Sequence, residues 1–369
     1  MTTSCFRSTA AIRPMTTAEV RRVVRAAGRA PSVHNSQPWL FDWDGRHLDL
    51  RADWTRHLPV LDPVGRQLSM SCGAALALSV VGMRAAGRDP QPQLFPDDRP
   101  GGPLVRLDTR TPLAACGVTR ARELFSAIGA RRMVRGSFAA RRVPASLLCC
   151  LAGIAATESA VASPVLGPQP RRAVAHLIDV SDATERADPA CRWELHEWLH
   201  DHPDHRADGV MPAPADTGAR TFPNRYRPDR QADPRPSSDH HPLPGFDHSP
   251  GQHPPGTAEG TPAPDLLILS TAGDGPGDWL AAGRALATIL LVTTRLGLGA
   301  MLLNQPVDAE DTRRELARAA GVTGHPQALL AIGYPAGRPG APTPRRHIDT
   351  FFTNRSEPFS HPADPEPHR

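Results

Sequence analysis

Two short stretches hold the residue types whose spacing could do chemistry. The first, APSVHNSQPW at residues 30–39, sets Ser32, His34, Asn35 and Gln37 between Pro31 and Pro38, with Trp39 directly behind them. A helix does not carry two prolines so close together, and a half-buried strand would alternate apolar with polar residues. The stretch therefore reads as a rigid loop that presents hydroxyl, imidazole and amide groups to a receiver. The second, RRMVRGSF, puts Arg131, Arg132 and Arg135 within about one turn of chain at the exit of an expected helix. Planar guanidinium forks grouped in this way match the bidentate geometry that phosphate accepts. The same arginines can equally be a solvated face at a helix C-terminus.

The elements around these stretches must hold them in place. Thr16-Thr17-Ala18-Glu19 is a capping box in front of Val20, Val23, Val24 and Ala27 at helical spacing, and Gly28 and Pro31 end that helix. After the loop, Trp39, Phe41 and Trp43 alternate, Asp44-Gly45 turns, and Leu48 and Leu50 resume, which predicts a hairpin. From Asp62-Pro63 a helix rich in Gly, Ala and Ser follows, then a strand LVRLDT near residue 109. The pattern then restarts: a helix over 119–128, the arginine stretch, a helix from Pro144, a strand over 173–180 and a helix over 193–199. It resumes with a strand DLLILST, a long helix from Asp278, AMLLN, a helix over 309–320 and a strand ALLAIGY. Helices alternating with strands predict an α+β fold whose sheets are covered by helices.

Between these elements, residues 201–263 are rich in Pro and His and poor in apolar side chains, so they cannot build a core of their own. They read either as a linker or as a lid, and the lid reading expects Arg225, Tyr226 and their neighbours over the binding pocket. The histidines at 202, 205, 240, 241, 248 and 253 lack regular ligand spacing or a nearby Cys, so no metal is expected. Residues 1–15 and 353–369 are expected to be flexible ends.

Composition narrows the function classes. The chain has 369 residues, enough for one large core or two modest ones. Its 42 cationic side chains are all Arg, balanced by 38 acids and dispersed along the length, so the +4 net charge implies no nucleic-acid partner. The most apolar run, residues 279–303, is broken by Arg284 and Arg295 and reads as a core helix, with no membrane partner expected. Six scattered cysteines without a CxxC pair, and an N-terminus without an apolar signal region, predict a cytoplasmic protein with thiols. The turn GDGPGDW imitates a dinucleotide-binding loop, but Asp278 stands at the helix start, where a carboxylate caps the helix and repels a pyrophosphate. GxSxG and HExxH are both absent, which removes support for a hydrolase or a zinc protease.

Taken in order, APSVHNSQPW with its hairpin, LDPVGRQLSMSCGAAL, RRMVRGSF with Val143-Pro144, the tract from WLAAGRAL to PQALLAIGYP, and PRR at 344–346 resemble the nitroreductase superfamily, in its Acg-type subgroup. The resemblance covers most of residues 16–350 apart from the Pro-rich insert. It implies FMN as cofactor, NAD(P)H as electron donor and a small-molecule acceptor such as a nitroaromatic or a quinone. The flavin carries the hydride, so no catalytic acid or base is obligatory. Arg131, Arg132, Arg135 and Arg346 are implied as phosphate contacts, with Arg346 preferred to Arg345, and Met133 stands where the family usually has Ser or Thr. Ser32, His34, Asn35 and Gln37 are implied as contacts to the ring, ribityl chain or phosphate, because an amide can match the donor and acceptors on the ring edge. In the family two subunits share each site. Here the loop occurs only in residues 16–115, and the arginine motif only in residues 116–200 with 264–352. The resemblance thus implies two fused halves that form an internal pseudo-dimer with one FMN, functioning as a monomer. An FMN-storing protein with a covered flavin and little turnover is the alternative.

Overall fold

The computed structural model describes residues 13–97, 99–200, 206–211, 222, 225–226, 264–337, 340 and 342–356. The capping box forms as read: Thr16 accepts the Glu19 N–H and Glu19 accepts that of Thr16, starting α1 (Thr17–Ala27), whose valines are buried. The hairpin forms too, as β1 (Trp39–Trp43) and β2 (His47–Ala52) in antiparallel register with Phe41 opposite Leu50. The nearly all-buried α2 (Arg66–Ala85) follows. By length and composition α2 could cross a membrane, yet most of it is buried inside the fold. Two short strands, β3 (Pro92–Leu94) and β4 (Val105–Asp108), complete the first segment.

Next come α3 (Ala115–Ala130), α4 (Ala145–Thr157), β5 (Val161–Pro164), α5 (Pro168–Ala187) and α6 (Pro189–Glu197). The strand expected over 173–180 is instead the middle of α5. Gly167 and Pro168 start a helix there, and Val174, Leu177, Ile178 and Ser181 are buried at helical spacing. The remaining elements are β6 (Asp265–Thr271), α7 (Pro276–Arg295), β7 (Gly299–Leu302), α8 (Gln305–Asp308), α9 (Glu310–Ala320), β8 (His325–Gly333) and β9 (Phe352–Asn354). β9 pairs in parallel with β1, so residues 353 and 354, expected in a flexible end, belong to a strand. Residues 357–369, like 1–12 and most of 201–263, lie outside the described residues.

Two sheets result, ordered β3-β4-β2-β1-β9 and β7-β8-β6-β5. Leaving β9 aside, both follow one plan: in each, the third strand in sequence sits at an edge and the second lies between the fourth and the first, all antiparallel. In the first sheet β2 alternates, Leu48 and Leu50 inward and His47 and Asp49 outward, as a strand with one buried face must. In the second, helices cover both faces. Leu267, Leu269 and Leu330 pack with α4 and α7, while Leu266, Ile268 and Leu329 pack with α5 and α9. That explains why β6 and β8 read as continuous apolar runs.

The two segments meet where α2 crosses α7. A Cβ on Gly73 would overlap the carbonyl oxygen of Leu280, and one on Gly283 would overlap that of Met70. The contact is reciprocal, each glycine lying one turn after the residue its partner meets, and glycine is what lets the backbones touch. Buried Arg66 adds polar ties across the same interface, donating to the carbonyl oxygens of Gln327 (3.0 Å) and Val307 (2.9 Å) and pairing with Asp308.

Asp278 does not cap α7 by itself. It accepts the N–H of Gly275, the capping residue, while Asp274 gathers Trp279 Nε1 (2.8 Å), Gln327 Nε2 (3.0 Å) and the Arg313 fork. Burial alone would raise the Asp274 pKa, but hydrogen bonds from Gln327, Trp279 and Arg313 carry it down to about 2. A carboxylate depressed below its unfolded value near 4 stabilises the fold above that pH, and the stabilisation is lost as pH falls toward 2. Discounted for a partly exposed group, it amounts to about 1 kcal/mol. Urea midpoints measured between pH 5 and pH 2 should therefore fall less steeply in Asp274→Asn than in the wild type. Parallel curves would remove Asp274 from the acid transition.

Candidate functional site

The APSVHNSQPW loop runs from α1 to β1 through a short helical turn, and His34, Asn35 and Gln37 all adopt left-handed backbone angles, with φ of 48°, 55° and 52°. Such angles in non-glycine residues cost about 1–3 kcal/mol each and persist only where the surroundings over-determine them. The surroundings here do. Ser32 Oγ accepts the Gln37 N–H (2.9 Å), the Pro38 carbonyl accepts from Asp53 N (3.1 Å) and Cys72 Sγ (3.1 Å), and Trp39 is fully buried. Ser32 thus braces the loop from within.

The amides of Asn35 and Gln37 are buried and engaged. Asn35 donates to the carbonyls of Gly209 and Pro344 (both 3.0 Å) and accepts from Arg345 (2.8 Å). Gln37 donates to the carbonyls of Ala207 (2.9 Å) and Asn35 (3.3 Å) and accepts the Arg346 N–H (2.9 Å). His34 is buried, with Nδ1 3.4 Å from the Tyr226 hydroxyl, and burial together with the nearby Arg225 charge pushes its pKa down to about 3. It is neutral throughout the physiological range.

The arginine motif is laid alongside the second sheet. Met133 bridges to Ala300 of β7, the Val134 N–H bonds the Ala300 carbonyl (2.8 Å), and Phe138 pairs with Pro335. This placement buries Arg131, whose Nη2 reaches the Arg29 carbonyl (3.1 Å) while its Nε is buried without a partner among the described residues. Burial, then the charges of Arg132 and Arg29, lower its pKa to about 10. Arg345, from the C-terminal segment, behaves alike: its Nε is also orphaned, and burial followed by Arg131, Arg29, Arg132 and Arg135 brings it down to about 9. Arg132 donates back to the carbonyls of Gly129 and Arg131, and Arg135 lies over the Tyr226 ring at 5.3 Å and donates to the Met211 carbonyl.

Among the described residues, no carboxylate pairs with Arg29, Arg131, Arg132 or Arg345. Buried Arg131 and half-buried Arg345, each with an Nε that has no partner among the described residues, repel one another and their neighbours Arg29 and Arg132, a donor set suited to a phosphate, and a buried amide pair suited to a heteroaromatic edge lies beside them.

The structure brings the expected residues together except one. Arg346 is not among the clustered arginines. Its guanidinium is taken by the Gln37 carbonyl (3.0 Å), Asp53 (3.4 Å) and the Thr350 carbonyl (2.8 Å), so it brackets the loop. Its neighbour Arg345 lies among the clustered arginines instead, and Arg29 joins them unforeseen. An Arg at the C-terminus of an amphipathic helix gives no sequence signal that separates it from an ordinary exposed one.

The insert also contributes. Arg225, half-buried, is held between Glu185 (2.7 and 2.9 Å) and Asp308 (2.7 Å), and Tyr226 meets His34 edge-on at 5.7 Å between centroids.

No family profile matches the chain. Individual relatives do. A Mycobacterium tuberculosis protein named "Putative NAD(P)H nitroreductase Rv3131" is 30% identical over 336 residues, 89% of each chain. Another from the same organism, "Putative NAD(P)H nitroreductase acg", is 28% identical over 350 residues, 93% of this chain and 98% of its own. The chain belongs to the nitroreductase family, with these Acg-type proteins among its relatives. Among solved structures, a Bacteroides fragilis nitroreductase with bound FMN aligns with a TM-score of 0.31 at 16% identity, covering 58% of this chain and 89% of its own. A nitroreductase-like protein from Bacillus cereus gives 0.33 at 14%, covering 62% and 92%.

Proposed function

We propose that the chain is an FMN-dependent oxidoreductase that takes a hydride from NAD(P)H and passes it to a nitroaromatic or quinone-like acceptor, using one site built by two fused nitroreductase-like halves. The observation that carries this reading is the meeting of the Asn35/Gln37 loop from the first half with the Arg131/Arg345 cluster from the second. Arg29, Arg131, Arg135 and Arg345 would hold the phosphate, and Asn35 and Gln37 the polar edge of the ring. FMN, when bound, supplies the hydride-carrying chemistry. The chain's own task is to neutralise the phosphate and fix the ring, and neutral His34 adds no competing charge. The names of the mycobacterial relatives agree with this assignment. The shared plan of the two sheets and the reciprocal α2–α7 contact support the fusion, since a contact of this kind is what a two-fold dimer interface produces.

A second reading, FMN storage with little turnover, is favoured by Tyr226, which lies between His34 and Arg135 next to the Arg225 ion pairs. Absorbance, flavin quantitation and light scattering test both readings. One FMN per monomeric chain is expected, and two per chain, or a site formed only on dimerisation, would refute the single fused site. Rapid bleaching by anaerobic NADPH supports the reductase, whereas a bound flavin that stays oxidised supports storage.

A further inference from the structure

We propose that Arg346 is a positioning residue for the flavin ring: it grips Gln37 at both its main-chain carbonyl and its side-chain oxygen, and so sets where the Gln37 amide stands, without contacting the phosphate. The inference rests on the FMN assignment above.

Arg346 reaches Gln37 twice. Its main-chain N–H donates to Gln37 Oε1 (2.9 Å), and its Nη1 donates to the Gln37 carbonyl oxygen (3.0 Å), which also accepts the Trp39 N–H (3.0 Å). An amide whose oxygen is taken by a main-chain donor presents its NH2 hydrogens on the other side. The main-chain bond therefore sets which way the amide faces, and the guanidinium bond fixes the peptide plane that carries it. Gln37 needs this support, because its φ of 52° lies in the left-handed region, where a residue with a side chain is held only by its surroundings. Ser32 restrains the N–H end of the residue and Arg346 the carbonyl end.

The remaining contacts of the guanidinium hold Arg346 itself in place. Nη1 also pairs with Asp53 (3.4 Å), Nη2 donates to the Thr350 carbonyl (2.8 Å), and the group lies 5.6 Å from the centre of the Phe351 ring. Asp53 is anchored in turn, its N–H on the Pro38 carbonyl (3.1 Å) and its carboxylate accepting the Thr55 hydroxyl (2.6 Å). The Arg346 and Asp53 side chains are only 10% and 11% exposed. Asp53 balances the Arg346 charge, and a phosphate placed there would face a carboxylate. Arg345 differs on both counts, since the charges around it are those of Arg131, Arg29, Arg132 and Arg135. Two adjacent arginines of one segment thus divide the work, Arg345 facing the phosphate and Arg346 the loop that carries the ring contact.

Titrations of the full chain with FMN and with riboflavin, which has the same ring and no phosphate, test this. Arg346→Met should weaken both ligands by the same factor, about 3- to 10-fold, whereas Arg131→Met should weaken FMN alone. Arg346→Lys, which keeps one donor for the Gln37 carbonyl, should recover part of the loss for both. In a Gln37→Ala background, adding Arg346→Met should change FMN affinity less than about 2-fold, because the residue it acts through has lost its amide. If riboflavin binds too weakly to titrate, the Gln37→Ala background decides alone. Should Arg346→Met fail to fold, Asp53→Asn, which keeps the shape and removes the charge that seats the guanidinium, is read in the same way. A loss confined to FMN, a loss that persists in full without the Gln37 amide, or unchanged affinity for both flavins would overturn the positioning role and leave the FMN assignment standing. If the wild type binds neither flavin, the assignment fails and this inference falls with it.

Discussion

Arg131→Met is expected to make the protein bind FMN roughly 10- to 150-fold more weakly, the loss of one charge-assisted contact worth about 1.5–3 kcal/mol. The same substitution should make the FMN-free protein more stable. Burial and the neighbouring charges of Arg132 and Arg29 hold the Arg131 pKa down near 10, below its unfolded value, so below that pH the fold carries the cost of keeping the charge. Its Nε is buried without a partner, which adds to the cost. Methionine fills similar space without either penalty, and apolar replacement of buried charges is often stabilising by about 1–4 kcal/mol. The hydrogen bond to the Arg29 carbonyl is lost in exchange, leaving a net gain of about 1 kcal/mol. Opposite signs on binding and stability would mark a residue kept for its ligand, a trade common where function needs a strained site. Thermal melts of apo protein alongside FMN titrations decide it. A variant that melts lower and binds FMN as well as wild type would make Arg131 a structural residue and remove the phosphate site from this cluster.

What the sequence disclosed about this site, and what it withheld, follows from how local each signal was. Asn35 and Gln37 were legible because two prolines and three polar groups in ten residues leave few alternatives to a presenting loop. Arg131 and Arg135 were legible as a group, but whether they face solvent or a pocket depends on the Met133–Ala300 bridge to β7, a contact spanning most of the second half. Which of Arg345 and Arg346 lies with the other arginines could not be read, because the two are adjacent in a segment outside any helix or strand and no periodicity flanks them. The strands show the same division. β1, β2, β6 and β8 carried alternation or a continuous apolar run, whereas β3 and β5 are short edge strands containing Pro92 and Pro164. The segment AVAHLIDV imitated a strand by its short apolar run, although Gly167-Pro168 upstream already marked a helix start. In the insert, composition showed the lack of a core, but Arg225 and Asp208 are each placed by two ion pairs that composition does not record.

Gly283→Ala and Gly73→Ala should each lower the melting temperature, against the usual direction of such a change. In an ordinary helix interior, glycine to alanine is favourable by about 0.5–1 kcal/mol. At these two positions the added Cβ meets a backbone carbonyl of the facing helix, Met70 for Gly283 and Leu280 for Gly73, which cannot rotate away as a side-chain end could. The helices must separate, and overpacking of this kind costs about 1–3 kcal/mol. For a chain of this size the melting temperature should fall by roughly 2–8 °C per substitution. Because α2 and α7 touch reciprocally at one crossing, the separation forced by the first alanine also makes room for the second. The double variant should therefore lose clearly less than the sum of the two singles, as expected for residues that share one contact. Calorimetry of the three variants measures this. Additive losses would mean that the two glycine contacts relax independently, and a rise in melting temperature for either single variant would show that the helices do not cross with their backbones in contact.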